Sequence, residues 1–520
     1  MTSNDIVQKL WNLCDVLRDD GINYSDYVTE LVLLLFIKMV HENTEAGTLK
    51  RHPLPEGCRW KDLHDKSGIN LLDDYKRILL ALSTGKDADG NSIHEDPLIS
   101  AVYADAQTRL REPRHLEQMI KTLDQIDWFS AQKDGLGDLY EGLLEKNASE
   151  TKSGAGQYFT PRPLINSMVR CIKPQPGERI QDPAAGTAGF LIAADQYIKE
   201  QTDDLYNLSE VQQKFQKNHA FIGVELVPST RRLALMNCLL HGMEGDDEGV
   251  VHLGNALGEV GKSLKSADII LANPPFGTSK GGNAGITREF TYQTSNKQLA
   301  FLQHIYRNLK PGGRAAVVLP DNVLFESGVG TEIRRDLMNK CDLHTILRLP
   351  TGIFYAQGVK TNVLFFTKGS AKDKLQEENC TEKVWVYDLR TNMPSFGKRT
   401  PFGEQHLTPF EKVYGDKPDG TSDRKEGEWS FGAEEIDAPE LEENEGVDDR
   451  LAHSRWRCFS REWISEHKGD SLDISWLKDA DSVDAADLPE PSVLANEAKE
   501  ELVAALAEID ELISSLGASV

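Results

Sequence analysis

The pattern of hydrophobic and polar residues separates a helical N-terminal part from a middle part of alternating strands and helices. Residues 26–43 mix apolar and polar positions as a long helix does, and residues 116–146 predict further helix. Between about residue 151 and residue 390, apolar runs that suit buried strands alternate with runs that suit helices. This order predicts an all-helical N-terminal domain followed by a doubly wound α/β sheet.

Each predicted strand is a short, mostly apolar run. The strands are predicted at residues 179–181, 220–224, 267–272, 314–319, 361–366 and 383–387, with helices at 191–197 and 295–309. We expect the last two strands to be antiparallel and to lie at the edge of the sheet. Polar residues 199–218 separate the first two strands and are expected to form an insertion.

The C-terminal part of the chain has a different composition. Residues 411–450 are acidic and poor in apolar side chains, which indicates a solvated or flexible stretch. After Pro491, five apolar residues recur at steps of four and three, the spacing of a coiled-coil seam. The same spacing fits an amphipathic helix packed on its own domain, so both interpretations stay open. The five residues are Leu502, Leu506, Ile509, Ile513 and Leu516.

Charge is distributed unevenly over the chain, whose formal net charge is −25. Residues 1–150 have 17 basic and 27 acidic side chains, residues 151–400 have 30 and 25, and residues 401–520 have 11 and 31. Only the middle segment is net basic, as contact with nucleic-acid phosphates requires. Its excess is small, which indicates that the basic residues cluster or that partners supply much of the affinity.

Pattern and composition together predict four segments. They are a helical domain at 1–150, a sheet domain at 151–400, an acidic, partly irregular extension at 401–490 and a C-terminal helix at 491–520.

Apolar runs and cysteines exclude several classes of protein. The longest apolar run, Leu31–Ile37, stops at Lys38 and is too short to span a membrane, and no secretory signal begins the chain. We therefore expect an intracellular, cytoplasmic protein without membrane contact. The seven cysteines are scattered without a paired metal-ligand spacing, so we expect reduced, mostly structural thiols and no metal site.

The residues Asn273, Pro274, Pro275 and Phe276 end the strand predicted at 267–272 and indicate a pocket for an amino group. Prolines cannot donate to a sheet ladder, so the strand stops there and the backbone carbonyls are held in place. The Asn273 amide oxygen and the Pro274 carbonyl can each accept one proton of a planar amine. The ring of Phe276 can stack on a base, which would have to be flipped out of a duplex. The alternative is a plain turn after a buried strand.

A second motif, Asp182–Phe190, joins the first predicted strand to a helix through small residues. Gly186 and Gly189 allow a ligand to approach the backbone, and the helix N-terminus offers N–H groups to an anionic group such as a carboxylate. The spacing is not that of the dinucleotide fingerprint, and glycine here could merely pack a helix on a strand. Glu225 ends the second predicted strand, where an acid suits ribose hydroxyls, although it could be an ordinary surface acid.

These motifs follow one another in a specific order. Gly156–Arg162 comes first, then Asp182–Phe190 and Asn273–Phe276, and then the stretches Lys310–Gly313 and Leu349–Phe354. In this order the chain closely resembles the methylation subunit of type I restriction-modification systems, an adenine-N6 DNA methyltransferase that uses S-adenosylmethionine. The resemblance covers effectively the whole length. It implies a Rossmann-like class I methyltransferase domain followed by a C-terminal helical tail.

The resemblance also implies site residues, with Asn273 to Phe276 as the catalytic segment. The segment from Gln157 to Arg162 can also be the start of a helix punctuated by proline. Asn255 stands where related methyltransferases often place an aspartate against the cofactor adenine. The residues implied in cofactor binding are Gln157, Tyr158, Phe159, Thr160, Pro161, Arg162, Asp182, Gly186, Thr187, Ala188, Gly189, Glu225 and Asn255.

The resemblance further implies partners. They are double-stranded DNA, a specificity subunit that carries the target-recognition domains, a second methylation subunit, and a restriction subunit in the full complex. On this interpretation the C-terminal seam docks on helices of the specificity subunit. Similar pockets occur in enzymes that methylate protein glutamine or RNA guanine, but the order of the flanking motifs and the acidic C-terminal region argue against both.

Overall fold

The structure is a computed structural model of the chain, which divides into two units. The two units are residues 1–476 and 477–520. Of the second unit, residues 477 and 478 are described. The described residues are 3–22, 26–47, 52–126, 128, 136–150, 159–276, 286–287, 289–354, 359–397, 399–430 and 449–478.

The described residues up to 150 form helices joined by turns and loops, which confirms the predicted helical N-terminal part. Residues Leu31–Ile37 belong to the helix Tyr27–Glu45 and are all buried, because their apolar side chains contribute to the core of the helical part. Among the described residues, no helix has the length and apolar character needed to cross a membrane. The helices are α1 (Ser3–Asp19), α2 (Tyr27–Glu45), α3 (Lys61–His64), α4 (Gly68–Thr84), α5 (Pro97–Val102), α6 (Pro113–Asp124) and α7 (Leu136–Glu150).

A mostly parallel sheet of nine strands follows, in the order β3-β2-β1-β4-β5-β7-β6-β8-β9. The chain order reverses between β1 and β4, which are parallel neighbours, so the predicted doubly wound fold is confirmed. The strands are β1 (Ile180–Asp182), β2 (Phe221–Glu225), β3 (Val251–Leu253), β4 (Ala267–Ala272), β5 (Leu309–Pro320), β6 (Cys341–Arg348), β7 (Thr361–Lys368), β8 (Lys383–Asp388) and β9 (Trp456–Ser460).

Helices cover both faces of this sheet. Ile269 and Leu271 of β4 belong to one hydrophobic cluster, whereas Ile270 and Ala272 belong to another, as expected for a strand buried on both faces. The remaining helices are α8 (Arg162–Ile172), α9 (Gly189–Gln201), α10 (Glu210–Asn218), α11 (Pro228–Leu240), α12 (Glu259–Ser263), α13 (Lys297–Asn308), α14 (Asp321–Phe325), α15 (Val329–Lys340), α16 (Thr408–Tyr414) and α17 (Arg461–Lys468), with 3₁₀ turns at Glu404–His406 and Asp449–His453.

The expected insertion at 199–218 contains helix α10. Ser209 begins it with a capping box, in which the Ser209 hydroxyl accepts from the Gln212 N–H while the Gln212 side chain accepts from the Ser209 N–H. These reciprocal bonds explain how a polar segment with one buried residue still forms a helix.

The prediction that the last two strands lie at the sheet edge is wrong. Strand β7 is antiparallel, but it lies between β5 and β6, and β8 lies between β6 and β9 and is parallel to β6. The apolar run of β7 is buried almost throughout because it has neighbours on both sides. Strands β3, β6 and β9 were not predicted.

The acidic region after residue 400 contributes to the sheet and its core. Strand β9 pairs with β8, and Phe410, Tyr414 and Trp456 are fully buried. The described part of the stretch predicted to be solvated, 411–450, therefore includes one of these core residues, Tyr414. Residues 431–448 and the predicted C-terminal helix lie outside the described residues. The four segment boundaries stay a prediction. All seven cysteines are free, and six are buried.

Candidate active site

A cavity of about 590 Å³ opens in the part of the sheet where the chain order reverses. It is lined by the residues that follow β1, β2 and β4, and in an open α/β sheet the ligand crevice lies at these carboxyl ends. Its volume is in the range that encloses a small molecule of cofactor size. Eleven of the predicted site residues line it: Phe159, Thr160, Arg162, Asp182, Gly186, Thr187, Gly189, Glu225, Asn255, Asn273 and Pro275.

The turn from β1 to α9 is built from backbone conformations that suit small residues. Gly186 has φ of +54°, and a Cβ there would meet nothing within 4 Å, so this position borders open space. Ala188 precedes α9 with φ of +69° and turns the chain into the helix. Gly189 differs, because a Cβ there would come within 3.2 Å of Ile165 on α8. Gly189 thus has a packing reason to be glycine, and Gly186 has a conformational one.

Two carboxyl groups flank this turn. Glu225 at the end of β2 accepts the Gly186 N–H at 3.0 Å and the Val227 N–H at 2.8 Å, so its side chain is tied to the turn. Asp182 is 1% exposed and accepts the Ala184 N–H at 2.9 Å. Burial raises the pKa of Asp182 to about 8 and also raises the pKa of Glu225. Both shifts come chiefly from desolvation, which disfavours a charged carboxylate.

Asn273 is held by contacts from two other segments. Its Nδ2 donates to Thr160 Oγ1 at 2.9 Å, which directs the amide oxygen away from Thr160. The Pro275 carbonyl accepts from Gln298 Nε2 of α13 at 2.9 Å. Pro274 is buried between them. The segment is therefore fixed at the end of β4, beside the wall that Thr160 forms.

Phe276 rests against an aromatic partner that comes from a later loop. Its ring lies 6.0 Å from that of Phe354, centroid to centroid, at an interplanar angle of 71°. The loop before Phe354 is packed tightly, since a Cβ at Gly352 would lie 2.1 Å from the Phe396 carbonyl oxygen. The Leu349–Phe354 stretch thus supports the Asn273–Phe276 segment from one side.

Helices of the N-terminal part close another side of the cavity. Val28 and Thr29 of α2 and Glu141 of α7 are among the lining residues. Glu141 forms an ion pair with Arg162, whose Nη1 also donates to the Gly189 carbonyl at 3.4 Å. Burial lowers the pKa of Arg162 to about 10. The first turn of α8 is therefore joined both to α7 and to the turn before α9.

A group of three possible metal ligands, Asp138, Glu141 and His241, lies behind this pair within 4.8 Å of one another. Arg162 already balances Glu141, and Gln196 donates to Asp138 at 2.9 Å. A Cβ at Gly137 would also lie only 2.5 Å from the His241 ring. We assign these residues to the packing of α7 on the sheet domain.

Comparison with known proteins identifies the family. The family model "N-6 DNA Methylase" matches residues 131–457, "HsdM N-terminal domain" matches 6–123, and "Type I restriction enzyme methylase subunit, C-terminal domain" matches 488–519. The chain belongs to the methylase subunits of type I restriction enzymes. It is an N-6 DNA methylase.

Individual relatives agree with this assignment. The methylase subunit of the type I enzyme EcoKI from Escherichia coli (strain K12) is 59% identical over 100% of this chain and 96% of its own length. The EcoEI methylase subunit of Escherichia coli is 32% identical over 82% of this chain and 86% of its own. The crystal structure of the EcoKI M protein has a TM-score of 0.60, with 55% identity over 99% of this chain and 97% of that one. Methylation of glutamine or RNA guanine is therefore not the activity of this family.

Four other predicted site residues of the methylase subunit are described but are not among those that line the cavity. Pro161 caps the N-terminus of α8, so the predicted helix start is present there as well. Ala188 lies in the turn before α9, Pro274 is buried, and the Phe276 ring packs against that of Phe354. Gln157 and Tyr158 lie outside the described residues.

Several lining residues were missed by the sequence analysis. Lys297 and Phe301 of α13 face the cavity, as do Glu141 and the two residues of α2. They come from segments without a distinctive motif, and only the fold brings them to the site. Asn296 is one signal that the sequence offers, since an asparagine before a predicted helix suits an N-cap, and Gln298 two residues later donates to the Pro275 carbonyl.

We expect Phe276→Ala to weaken the complex with an extruded base, because stacking on an aromatic ring contributes roughly 1–3 kcal/mol per base. Fluorescence of 2-aminopurine at the target position measures extrusion. Phe276→Tyr keeps the ring and should retain the signal. Phe325→Ala, at a side chain that is 52% exposed, is the matched control. An unchanged signal for Phe276→Ala would count against stacking.

Proposed function

We propose that this methylase subunit transfers a methyl group from S-adenosylmethionine to N6 of an adenine flipped out of double-stranded DNA. The observation that carries the proposal is the shared cavity, in which the turn after β1 and the Asn273 segment line the same space. Cofactor and base would therefore meet within one enclosure. Since its substrate is DNA, we also propose that the subunit acts in the cytoplasm.

The residues of the cavity fit this cofactor. Glu225 is tied to the Gly186 N–H and can accept hydrogen bonds from ribose hydroxyls. The N-terminus of α9 offers backbone N–H groups to a carboxylate. Asn255 accepts the Leu257 N–H at 2.9 Å, which fixes its amide at the wall of the cavity. Bound there, the cofactor supplies a methyl group on a positively charged sulfur.

Asn273 and Pro274 would activate the adenine amine. The Asn273 amide oxygen and the Pro274 carbonyl each accept one N–H, which favours a pyramidal nitrogen and directs its lone pair toward the methyl group. These acceptors are held before the substrate arrives, because the Asn273 amide donates to Thr160 and the Pro275 carbonyl, which follows Pro274, accepts from Gln298. Little reorganisation is then needed in the transition state.

The proposal also includes the partners. A specificity subunit selects the sequence, a second methylation subunit completes the modification enzyme, and a restriction subunit joins the full complex. The C-terminal charge, with 11 basic and 31 acidic residues at 401–520, disfavours DNA contact there and suits a protein partner. The match of residues 488–519 to the C-terminal domain model of these subunits supports the same interpretation.

The test is to co-express the chain with its specificity subunit and to map the methylated base on DNA. We expect N6-methyladenine at one defined sequence, and none when the chain is assayed alone. Modification of another base by the assembled enzyme would overturn the proposed chemistry. Site-specific methylation by the isolated chain would overturn the proposal that a separate specificity subunit selects the sequence.

Deleting residues 493–520 should leave cofactor binding intact but weaken association with the specificity subunit and reduce site-specific methylation. The apolar seam needs a surface to cover it, and the proposal assigns that surface to the partner. Cofactor titration, co-purification and methylation assays separate the three effects. Leu506→Asp should reproduce the loss, whereas Ser515→Asp, which lies off the seam, should not. Full assembly of the truncated chain would refute docking through this helix.

A further inference from the structure

The hydroxyl of Thr160 contacts the side chain of Asn273, although the two residues are 113 positions apart in the chain. The segment containing Thr160 was expected to serve the cofactor, and it does line the cavity. Its one described side-chain hydrogen bond, however, is with the residue proposed to bind the adenine amine. Thr160 is thus placed to serve the second substrate as well as the first.

The backbone around Asn273 is fixed without Thr160. Ala272 belongs to β4, Pro274 is buried with φ restricted by its ring, and the Pro275 carbonyl is bound by Gln298. The contact with Thr160 concerns the orientation of the Asn273 side chain. The last torsion of asparagine is broad and roughly two-fold, so the amide can turn its oxygen or its nitrogen toward a substrate at little cost.

The orientation of this amide decides whether the site can accept an amine. With the oxygen toward the adenine, Asn273 accepts an N–H of the substrate. With the nitrogen toward it, two donor groups would face each other. The contact with Thr160 Oγ1 at 2.9 Å occupies Nδ2 and selects the first orientation.

Thr160 itself is held firmly. It is 8% exposed and lies two residues before α8, whose first turn begins when Leu164 and Ile165 donate to the Pro161 carbonyl at 3.0 and 3.1 Å. Arg162, the first residue of α8, is paired with Glu141 of α7. A hydroxyl placed beside the start of α8 can therefore fix the orientation of the Asn273 amide.

We propose that Thr160 is a positioning residue, whose hydroxyl orients the Asn273 amide toward the adenine amine. This inference rests on the proposed function, since it names the residue that orients one of the two proposed acceptors of the adenine amine. It also makes the segment around Phe159 and Arg162 a physical link between the cofactor side of the cavity and the base side.

The test compares Thr160→Val with Thr160→Ser in the assembled methylase. Valine keeps the shape but removes the acceptor, whereas serine keeps the hydroxyl. We expect Thr160→Val to lower kcat by about 10- to 100-fold while the KM for DNA and the cofactor Kd stay within about threefold, because the lost bond matters chiefly in the transition state. Thr160→Ser should recover most of kcat.

Thr202→Val is the matched control, since Thr202 is 6% exposed and uses its hydroxyl at the end of α9. It should lower thermal stability without changing kcat. Equal kcat for Thr160→Val and wild type would overturn the positioning role, as would a loss confined to cofactor affinity. Failure of the wild-type assembly to form N6-methyladenine would instead overturn the proposed function, so the two failures are distinguishable.

Discussion

Asn273→Ala is expected to abolish methyl transfer while S-adenosylmethionine still binds. The amide oxygen is proposed to accept an N–H of the adenine only as the nitrogen becomes pyramidal, so its loss raises the barrier and leaves the cofactor site unchanged. Removing one such preorganised hydrogen-bonding group typically lowers kcat by about 10²- to 10³-fold. Single-turnover methylation of a DNA duplex containing the site, with calorimetry for the cofactor, measures both quantities.

The control for this variant is Asn207→Ala, at an exposed position in the insertion between α9 and α10. It makes the same chemical change away from the cavity and should leave both activity and binding as in wild type. Near-normal turnover by Asn273→Ala would show that the amine is activated by another group. A parallel loss of cofactor affinity would show that the substitution disturbs the shared cavity.

The sequence predicted the strand and the turn around the candidate site well, because their structure is local. The strand that carries Asn273 was expected at 267–272, and β4 has those bounds. The same holds for the turn after β1, because glycine and proline restrict the backbone through their own covalent structure. Such residues constrain structure within a few positions, so they can be interpreted without knowledge of the fold.

The misplaced strands have a different cause. Strands β7 and β8 were recognised as strands, but their position depends on which neighbours they pair with, and pairing is non-local. An apolar run such as Thr361–Phe366 fits either an edge or an interior position until β5 and β6 are placed around it. Strand β9 was missed because acidic residues precede it, although Trp456 within it is fully buried.

Contacts between segments that are distant in the chain also could not be predicted from the sequence. The hydrogen bond from Asn273 to Thr160 and the ion pair between Arg162 and Glu141 join residues from separate motifs or from no motif. Gly189 is a similar case: the sequence predicts that it admits a ligand, whereas the structure also gives it a packing reason to be glycine. Its approach to Ile165 depends on the docking of α8 against α9, which no local pattern records.

Gly186→Asp is expected to lower the affinity for S-adenosylmethionine at least about 100-fold, because like charges brought together in a site cost several kcal/mol. A side chain at this position would enter open space bordering the cavity, beside the Glu225 carboxyl that accepts the Gly186 N–H. The added carboxylate would oppose the carboxylate proposed to bind at the N-terminus of α9. Gly186→Asn adds nearly the same bulk without the charge, so its loss of affinity measures the steric part alone.

Backbone strain is a weak explanation for such a loss, since aspartate and asparagine adopt left-handed conformations more readily than most residues. Gly469→Asp tests this directly, because Gly469 has φ of +57° and open space around it but lies at the end of α17. That control should bind the cofactor as wild type does. Isothermal calorimetry on the three variants separates strain, bulk and charge. Wild-type affinity for both Gly186 variants would show that this turn serves the fold and that the cofactor binds elsewhere in the cavity.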